Sequence, residues 1–193
     1  MVKLAGYRKI KTAVFISGNG SNLNSLIKFS KTRKSPISVS LIISDNSKAK
    51  GLKFGKINKI KKKVFNLKKK NKIDNLMLSL LKEHEIEIIC LAGFMKILSR
   101  NFISKFGGKI LNIHPSLLPK YKGLNTHQRV LDNNEKYSGC TVHLVNSKLD
   151  SGKIILQKKV KISKNETKDS LAKKVRVQEH KIYPKAILKV FNL

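Results

Sequence analysis

Short apolar segments alternate with segments of helical periodicity along this chain, and that alternation limits the possible folds more than any other feature. It is typical of an α/β fold in which a mostly parallel central sheet carries helices on both faces. We therefore predict strands at about residues 12–16, 38–44, 64–67, 86–92, 110–114, 139–145 and 154–162.

The predicted helices lie between these strands. Apolar residues at helical spacing indicate helices after residue 22, over 49–59, through Ile73–Leu81 to about His84, from Thr126 onward and over 169–190. Residues 68–72 are predicted to form a charged turn. The 193 residues suit a single domain, 1–193, in which residues 1–11 are a short N-terminal extension.

The segment LNIHPSLLPKYKG places Asn112 and His114 where a predicted strand gives way to a proline-rich loop. Open α/β folds bind their ligands at the carboxyl ends of the strands. Asparagine supplies a neutral hydrogen-bond donor, and histidine exchanges a proton near neutral pH. Pro115 restricts the backbone directly after the histidine. The alternative interpretation is a strand that ends in a loop with an incidental histidine.

The glycine-containing segment SGNGSN follows the first predicted strand and precedes a helix. Glycines let a backbone approach an oxyanion, and Ser21 or Asn22 is expected to cap the helix and leave N–H groups for a phosphate. The segment is neither G-x-G-x-x-G nor a lysine-bearing P-loop. A simple turn is therefore the alternative interpretation.

Asp150 stands out because the chain has only 11 carboxylates, and it opens the turn Asp-Ser-Gly after a predicted strand. If this turn faces Asn112 and His114, the carboxylate is expected to raise the pKa of the histidine. A plain β-turn aspartate is the alternative. The chain shows no serine or cysteine nucleophile with an obvious elbow, and its histidines lack metal-ligand spacing, so we expect no metal. His143 and His127 are interpreted as structural. Amide, imidazole and carboxylate together suit direct transfer of a group between two bound substrates.

The formal net charge is +31, from 42 Lys and Arg against 11 Asp and Glu. Such a charge raises the hypothesis of a basic nucleic-acid-binding module. However, the lysines are scattered, and the aromatic residues do not interleave with them as a base-stacking surface requires. We therefore interpret the charge as compositional bias on a solvated surface, and we expect no specific nucleic-acid partner.

Cys90 and Cys140 are far apart in the sequence and form no CxxC pair. Disulfides and thiolate metal sites are therefore not indicated, and a reducing compartment fits. The sequence has neither a membrane-length apolar run nor a signal-peptide core at its start. We expect a cytoplasmic protein without a membrane partner.

Five segments, in order, give the chain a close resemblance to the phosphoribosylglycinamide formyltransferase family, the folate-dependent transformylases of purine synthesis. They are VFISGNGSNL, LAGFMKIL, LNIHPSLLPKYKGLNTH, VHLVNSKLDSGKIILQ and VQEHKIYP. The resemblance runs from about Thr12 to Pro184. It implies a Rossmann-like formyltransferase fold.

The resemblance also implies a reaction. The amino group of glycinamide ribonucleotide attacks the formyl carbon of 10-formyltetrahydrofolate, and a tetrahedral intermediate collapses to formylglycinamide ribonucleotide and tetrahydrofolate. The partners implied are these two small molecules, with the folate as co-substrate, no metal, and a monomeric or homodimeric enzyme.

Residue roles follow from the same resemblance. Asn112, His114 and Asp150 match the catalytic residues, of which the histidine donates a proton and the aspartate raises its pKa. The residues that match the ribonucleotide site are Gly20, Ser21, Asn22, Arg176 and Glu179. Those that match the folate site are Lys70, Met95, Lys96, Ile97, Leu98, Asn112, Asn146, Ser147, Lys148, Leu149 and Asp150.

Four positions in the chain depart from the pattern of the family that it resembles. Lys122 stands where many members have proline, which is expected to loosen the loop over the substrate. Lys96 replaces a common arginine and loses its bidentate geometry. Arg176 stands where members usually have a glutamine that contacts the ribonucleotide, and Lys70 is only the nearest counterpart of an arginine that contacts folate.

Two other enzymes of this fold remain as alternatives. A methionyl-tRNA formyltransferase is expected to have a further carboxy-terminal domain, and a formyltetrahydrofolate hydrolase usually carries an amino-terminal regulatory domain. The sequence given has room for neither, so phosphoribosylglycinamide formyltransferase is the preferred prediction.

Overall fold

A seven-stranded sheet forms the centre of the described chain. The computed structural model describes residues 8–66 and 70–192, with the backbone only at 70–72. The sheet order is β3-β2-β1-β4-β5-β6-β7. The strands are β1 (Ile10–Ile16), β2 (Ile37–Ser44), β3 (Lys61–Val64), β4 (Ile88–Leu91), β5 (Lys109–His114), β6 (Tyr137–Leu144) and β7 (Ile154–Lys161). The β1–β2, β1–β4 and β2–β3 pairs are parallel, and β6–β7 is antiparallel. The prediction of an α/β fold with a mostly parallel sheet is confirmed.

Six α-helices lie within the described residues. They are α1 (Ser21–Ser30), α2 (Lys53–Ile57), α3 (Lys70–Glu83), α4 (Arg100–Lys105), α5 (Thr126–Asp132) and α6 (Lys168–Val190). None of the helices in this part of the chain is long and apolar enough to cross a membrane. The chain divides into two compact units, Met1–Leu111 and Asn112–Leu193.

The core of the first unit is built around β1. Residues 13–16 of this strand are fully buried, as expected for a parallel strand covered on both faces. The ring of Phe15 lies edge-on to Phe94 with centroids 5.4 Å apart, and it also contacts Phe102 at 6.4 Å. The apolar residues of α1 complete this side of the core with Leu23, Leu26 and Ile27.

The core of the second unit lies between α6 and the antiparallel pair β6–β7. A capping box begins α6, because Thr167 Oγ1 accepts from the Ser170 N–H and the Ser170 hydroxyl accepts from the Thr167 N–H. The apolar stripe of the helix includes Leu171, Val175, Tyr183, Ala186 and Ile187, all fully buried. Pro184 lies inside α6, as predicted.

The first unit corrects several predicted boundaries. Gly20, with φ of 71°, occupies the N-cap of α1 without a side-chain cap, so the prediction that Ser21 or Asn22 caps this helix is wrong. The helix predicted over 49–59 is a 3₁₀ turn, Lys50–Leu52, followed by the short α2. Within the 3₁₀ turn Gly51 packs so closely that an added Cβ would lie 2.7 Å from Ile16 Cδ1.

The remaining corrections follow from weak sequence signals. The predicted strand at 64–67 lies earlier, at β3, whose four residues are all exposed and therefore show no apolar alternation. The predicted charged turn at 68–72 is helical from Lys70, since lysine is a good helix former, and the rest of it lies outside the described residues. The six-residue α4 was not predicted.

In the second unit, α5 has Asn125 at its N-cap, with φ of 55° and no side-chain cap.

Gly152 offers a sharp test of the packing between β6 and β7. An added Cβ would lie 1.7 Å from the Leu144 carbonyl oxygen, whereas one at Gly107 would meet nothing within 4 Å. We expect Gly152→Ala to lower the free energy of unfolding by about 1–3 kcal/mol through overpacking. Gly107→Ala should change it by less than about 0.5 kcal/mol. Urea unfolding curves measure both, and equal midpoints for the two variants would contradict this packing.

Candidate active site

Asn112 and His114 lie two residues apart near the end of β5, so their side chains point to the same face of the strand. Asn112 is half-buried, and His114 is only 5% exposed. A polar pair at the end of an otherwise apolar strand needs partners, because buried polar groups without hydrogen bonds are costly. The partners come from the segments that follow in the chain.

Asp150 supplies the buried carboxylate. It is 8% exposed, and its φ of 44° places it in the left-handed region that non-glycine residues rarely adopt. The Gly123 N–H donates to its Oδ2 atom at 2.9 Å. The turn therefore directs the carboxylate inward, and the interpretation as a plain surface β-turn aspartate does not hold.

His114 and Asp150 are in direct contact. Nδ1 of the imidazole lies 3.3 Å from Asp150 Oδ2, and Nε2 lies 2.8 Å from the Tyr121 carbonyl oxygen. Both ring nitrogens thus face oxygen atoms. Only the doubly protonated ring donates to both, and either neutral tautomer directs one lone pair at an oxygen. The positions of these two oxygen atoms therefore favour the protonated imidazole.

Burial acts in the opposite direction and is the larger effect. It lowers the pKa of His114 below the usual value, although the Tyr121 carbonyl and Asp150 both raise it; nearby His143 and Arg129 lower it further. The sequence prediction is right about the direction in which Asp150 acts. The net shift is nevertheless downward, because the cost of desolvating a charged ring is larger, and that cost could not be read from the sequence.

The pKa of Asp150 is also below its usual value. Burial alone would raise it, but the neighbouring His143 ring, the Gly123 N–H and the positive charge available on His114 together lower it. The carboxylate is therefore ionised near neutral pH. An ionised acid beside an imidazole can orient the ring and stabilise it when it takes up a proton.

His143 is a fourth member of this cluster, which the sequence analysis treated as structural only. It is 2% exposed near the end of β6. Its Nδ1 lies 2.8 Å from the Leu144 carbonyl oxygen, and its Nε2 lies 3.2 Å from Asn112 Nδ2 and 3.6 Å from Asp150 Oδ1. The same amide nitrogen lies 3.4 Å from Asp150 Oδ1. The available signal was that His143 is in phase with buried Thr141 at the end of a strand.

The turn that carries Asp150 is otherwise exposed. Asn146 organises it, because its side-chain oxygen accepts from the Lys148 N–H at 2.9 Å and its amide donates to the Ser151 carbonyl at 3.3 Å. Ser147, Lys148 and Leu149 are exposed, and half of the Leu149 surface is open to solvent. These predicted folate-side residues are thus accessible to a ligand.

Arg176 and Glu179 lie one turn apart on α6. Arg176 is exposed and lies close enough to His127 to lower the pKa of that imidazole, after burial, which is the larger cause. Glu179 is 9% exposed. Burial, with a smaller effect of the Glu179 charge, raises the pKa of the Cys140 thiol to about 12. The buried thiol is therefore not a nucleophile near neutral pH.

Lys122 was expected to loosen the loop in which it replaces proline. Instead, its ammonium group donates to Ser151 Oγ at 2.5 Å, and its carbonyl accepts from Arg129 at 2.7 Å. The loop is therefore tied to the Asp150 turn by a contact that proline could not make.

The first unit holds the predicted phosphate segment. Gly20 lies so close to Gly51 that an added Cβ would be 2.7 Å from its Cα atom, and its φ of 71° begins α1. Ser21 and Asn22 are the first residues of the helix, where backbone N–H groups have no intrahelical acceptor. A ten-residue helix that begins in this way is a suitable anion site.

Ser17 connects the segment after β1 to the segments after β2 and β4. Its N–H donates to the Gly93 carbonyl at 3.1 Å, its hydroxyl accepts from the Met95 N–H at 2.8 Å, and its carbonyl accepts from the Asn46 amide at 3.1 Å. All three polar groups of one serine thus hold neighbouring loops together. The predicted folate-side loop is positioned by the residue that opens the phosphate segment.

The folate-side loop of the first unit presents apolar side chains to solvent. Met95 is 61% exposed and Ile97 is 70% exposed, Lys96 is exposed, and Leu98 is buried. Lys70 is the first residue of α3, and its side chain lies outside the described part of the chain. The described residues contain no group of three or more histidine, cysteine or acidic side chains arranged for a metal ion.

Comparison with known proteins shows which family the chain belongs to. Residues 10–187 match the model of a protein family described as formyl transferase. The chain belongs to the formyl transferase family. The phosphoribosylglycinamide formyltransferase of Haemophilus influenzae is 41% identical over 180 residues, which cover 92% of this chain and 85% of that protein. The predicted relationship to phosphoribosylglycinamide formyltransferases is thereby confirmed.

A solved structure and a longer relative extend the comparison. The crystal structure of phosphoribosylglycinamide formyltransferase from Brucella melitensis superposes with a TM-score of 0.89 at 40% identity, covering 95% of this chain and 96% of that one. The trifunctional purine biosynthetic protein adenosine-3 of Bos taurus is 42% identical over 183 residues. That alignment covers 93% of this formyl transferase family member but only 18% of the length of the bovine protein.

The contact between His143 and Asp150 makes a testable electrostatic prediction. His143→Phe keeps a ring in this buried position but removes its nitrogens, so we expect the pKa of Asp150 to rise. A carboxyl group whose pKa is lower in the folded than in the unfolded protein stabilises the fold at pH values above its unfolded pKa. This stabilisation is lost as the pH falls through the folded pKa. The variant should therefore lose less of its free energy of unfolding on acidification than the unmodified protein. Carbon-13 NMR titration of the Asp150 carboxyl measures the shift. His84→Ala serves as a control, and an unchanged pKa in His143→Phe would refute the interaction.

Proposed function

We propose that this protein transfers the formyl group of 10-formyltetrahydrofolate to the amino group of glycinamide ribonucleotide, in purine synthesis. The products are formylglycinamide ribonucleotide and tetrahydrofolate. One observation carries the proposal: a half-buried amide and a buried imidazole at the end of β5 both contact one buried carboxylate, in a member of the formyl transferase family. This set contains general acid–base groups without a covalent nucleophile, as direct transfer between two substrates requires.

The ribonucleotide is proposed to bind through both a helix terminus and charged side chains. Gly20, Ser21 and Asn22 offer backbone N–H groups at the start of α1 to the phosphate. Arg176 is an exposed cation suited to an anionic ligand, and Glu179, one turn away, suits a hydroxyl or amino group.

The folate is proposed to bind at two exposed loops. Apolar Met95, Ile97 and Leu149 are open to solvent, which fits contact with the flat faces of a pterin. The other proposed folate-side residues are Lys70, Lys96, Leu98, Asn112, Asn146, Ser147, Lys148 and Asp150. Among them the lysines suit the carboxylates of the glutamyl tail as single point charges.

The proposed mechanism begins with a neutral His114. The lone pair of the substrate amine forms a bond to the formyl carbon, and the carbonyl electron pair moves onto oxygen, giving a tetrahedral intermediate. The imidazole takes the proton released by the attacking nitrogen, and Asp150 stabilises the resulting imidazolium. Asn112 donates an N–H to the oxyanion, for which it exchanges one of its long contacts of 3.2 and 3.4 Å.

Collapse of the intermediate completes the transfer. The electron pair returns from oxygen, the bond from carbon to N10 of the folate breaks, and His114 donates its proton to that nitrogen. The proton thus moves from the substrate amine to the leaving group, and no other reactant is required. A pKa below the usual histidine value suits a ring that must accept before it donates.

Substitution of the two ionisable groups tests this proposal. His114→Ala and Asp150→Asn should each lower kcat by about 10²–10⁴-fold, because each removes a proton-transfer or charge-stabilising group. The measurement is a spectrophotometric formyl-transfer assay with glycinamide ribonucleotide and a 10-formyl folate. His84→Ala is the matched histidine control and should retain activity. Normal rates in either site variant would exclude the assigned roles.

The pKa of His114 provides a second test, independent of turnover. Proton NMR titration of the imidazole should give a value below about 6.5 in the unmodified protein. In Asp150→Asn the pKa of His114 should fall further, because the carboxylate charge raises this pKa and the variant lacks that charge. A higher value in the variant would contradict the contact.

The single domain over 1–193, the cytoplasmic location, the monomeric or homodimeric state and the lack of a nucleic-acid partner stay predictions. The same holds for the absence of a metal.

A further inference from the structure

The loop formed by residues 115–125 leaves β5 directly after His114 and returns to the two ionisable groups of the site. The Tyr121 carbonyl lies 2.8 Å from His114 Nε2, and the Gly123 N–H donates to Asp150 Oδ2 at 2.9 Å. Both contacts are made by the loop backbone. Their geometry therefore depends on the path of the loop, and whatever fixes that path also orients His114 and Asp150.

The start of this loop is held by β6 and β7. Thr141 Oγ1 donates to the Ser116 carbonyl at 2.6 Å and accepts from the Leu118 N–H at 3.1 Å. Gln157 donates to the Leu118 carbonyl at 2.8 Å. These buried contacts lie well before Tyr121 and Gly123, so they leave the second half of the loop to be fixed by other groups.

Arg129, on α5, holds the second half of the loop from one side. Its guanidinium donates to the Lys122 carbonyl at 2.7 Å and reaches the Leu124 carbonyl at 3.4 Å. The same group lies 5.5 Å from the centroid of the Tyr121 ring. One side chain thus contacts three residues of the 115–125 loop.

Glu135, in the segment between α5 and β6, holds the loop from the other side. Its Oε1 atom accepts from the Tyr121 hydroxyl at 2.9 Å and from the Lys120 ammonium at 2.8 Å. Tyr121 has a φ of 56°, a left-handed conformation that a bulky residue adopts only when its surroundings enforce it. The contacts to its ring and hydroxyl provide that enforcement.

We infer that Arg129 and Glu135 are positioning residues for the proposed formyl transfer: they fix the 115–125 loop so that the Tyr121 carbonyl and the Gly123 N–H orient His114 and Asp150. The inference rests on the proposed function for its activity readout. Neither residue is expected to touch a substrate. Their effect is expected on kcat, since a misplacement of about 1 Å of a catalytic group is costly.

Four variants separate positioning from general stabilisation. Arg129→Ala and Glu135→Ala should lower kcat by about 10- to 100-fold with less than a threefold change in either KM. Glu135→Gln keeps an acceptor for the Tyr121 hydroxyl and should recover most of the lost rate. Gln128 is an exposed residue of the same helix, α5. Gln128→Ala removes a side-chain contact to Asp132, and its kcat should match that of the unmodified enzyme.

A titration of His114 supplies a readout that a merely structural role would not move. The groups that act on its charge are Asp150, His143, Arg129 and the Tyr121 carbonyl, and His127 is also nearby. Glu135 is not one of these groups, and the Tyr121 carbonyl raises the pKa of His114. The NMR-measured pKa of His114 should therefore fall in Glu135→Ala, in which that carbonyl is no longer held in place. It should stay unchanged in Gln128→Ala.

The outcomes distinguish the two proposals. If the unmodified protein transfers no formyl group, the proposed function fails, while a pKa of His114 that falls in Glu135→Ala still supports the role of the loop contact. If the unmodified protein is active and Arg129→Ala and Glu135→Ala keep its kcat and its His114 titration, the positioning role is overturned. A lowered melting temperature with normal kcat for the folded fraction would also overturn it, because it would indicate stabilisation alone.

Discussion

The buried carboxylate of Asp150 is the constraint on which the second unit depends. A charge removed from water is costly unless donors and counter-charges surround it. Here each oxygen has its own neighbours: the Gly123 N–H and His114 at Oδ2, and Asn112 at Oδ1. Satisfying one carboxylate therefore brings together the end of β5, the 115–125 loop and the turn after β6, which are far apart in sequence. The requirement to solvate a buried acid with protein groups is what assembles the site.

The imidazole beside it is held between two opposing effects. The two oxygens at its ring nitrogens favour the charged form, while burial, His143 and Arg129 favour the neutral form. The balance lies on the neutral side, below the usual histidine pKa. Because these effects oppose each other, the charge that develops on a bound substrate can decide whether the imidazole is neutral or protonated. This is the physical basis for assigning proton transfer in both directions to one residue.

Residue pattern predicted most of the sheet and the main site, but not the features that arise only on packing. Asn112 and His114 could be found because polar residues at the end of an apolar strand are unusual, and Asp150 because acids are scarce in this chain. The exposed edge strand β3 had no apolar alternation to reveal it, and α4 was too short for a periodic signal. The contact of His143 with Asn112 depends on the register between strands, which the sequence does not encode locally. The net lowering of the His114 pKa could not be predicted for a related reason, because burial is a property of the whole unit.

Acids are scarce in this chain of net charge +31, and several of them make contacts that fix a backbone segment. Asp74 accepts from Ser99 at the start of α4, Glu87 binds Arg8 beside β1, and Glu166 contacts Lys174 and Ser170 in the first turns of α6. Glu135 anchors the 115–125 loop, and Asp150 organises the site. Except for Asp74, which lies within α3, these acids lie where a backbone segment begins or changes direction, and the lysines in excess of them are largely exposed. The high positive charge is therefore compatible with an ordered site, because the geometry of that site depends on where a few carboxylates lie rather than on the overall balance of charge.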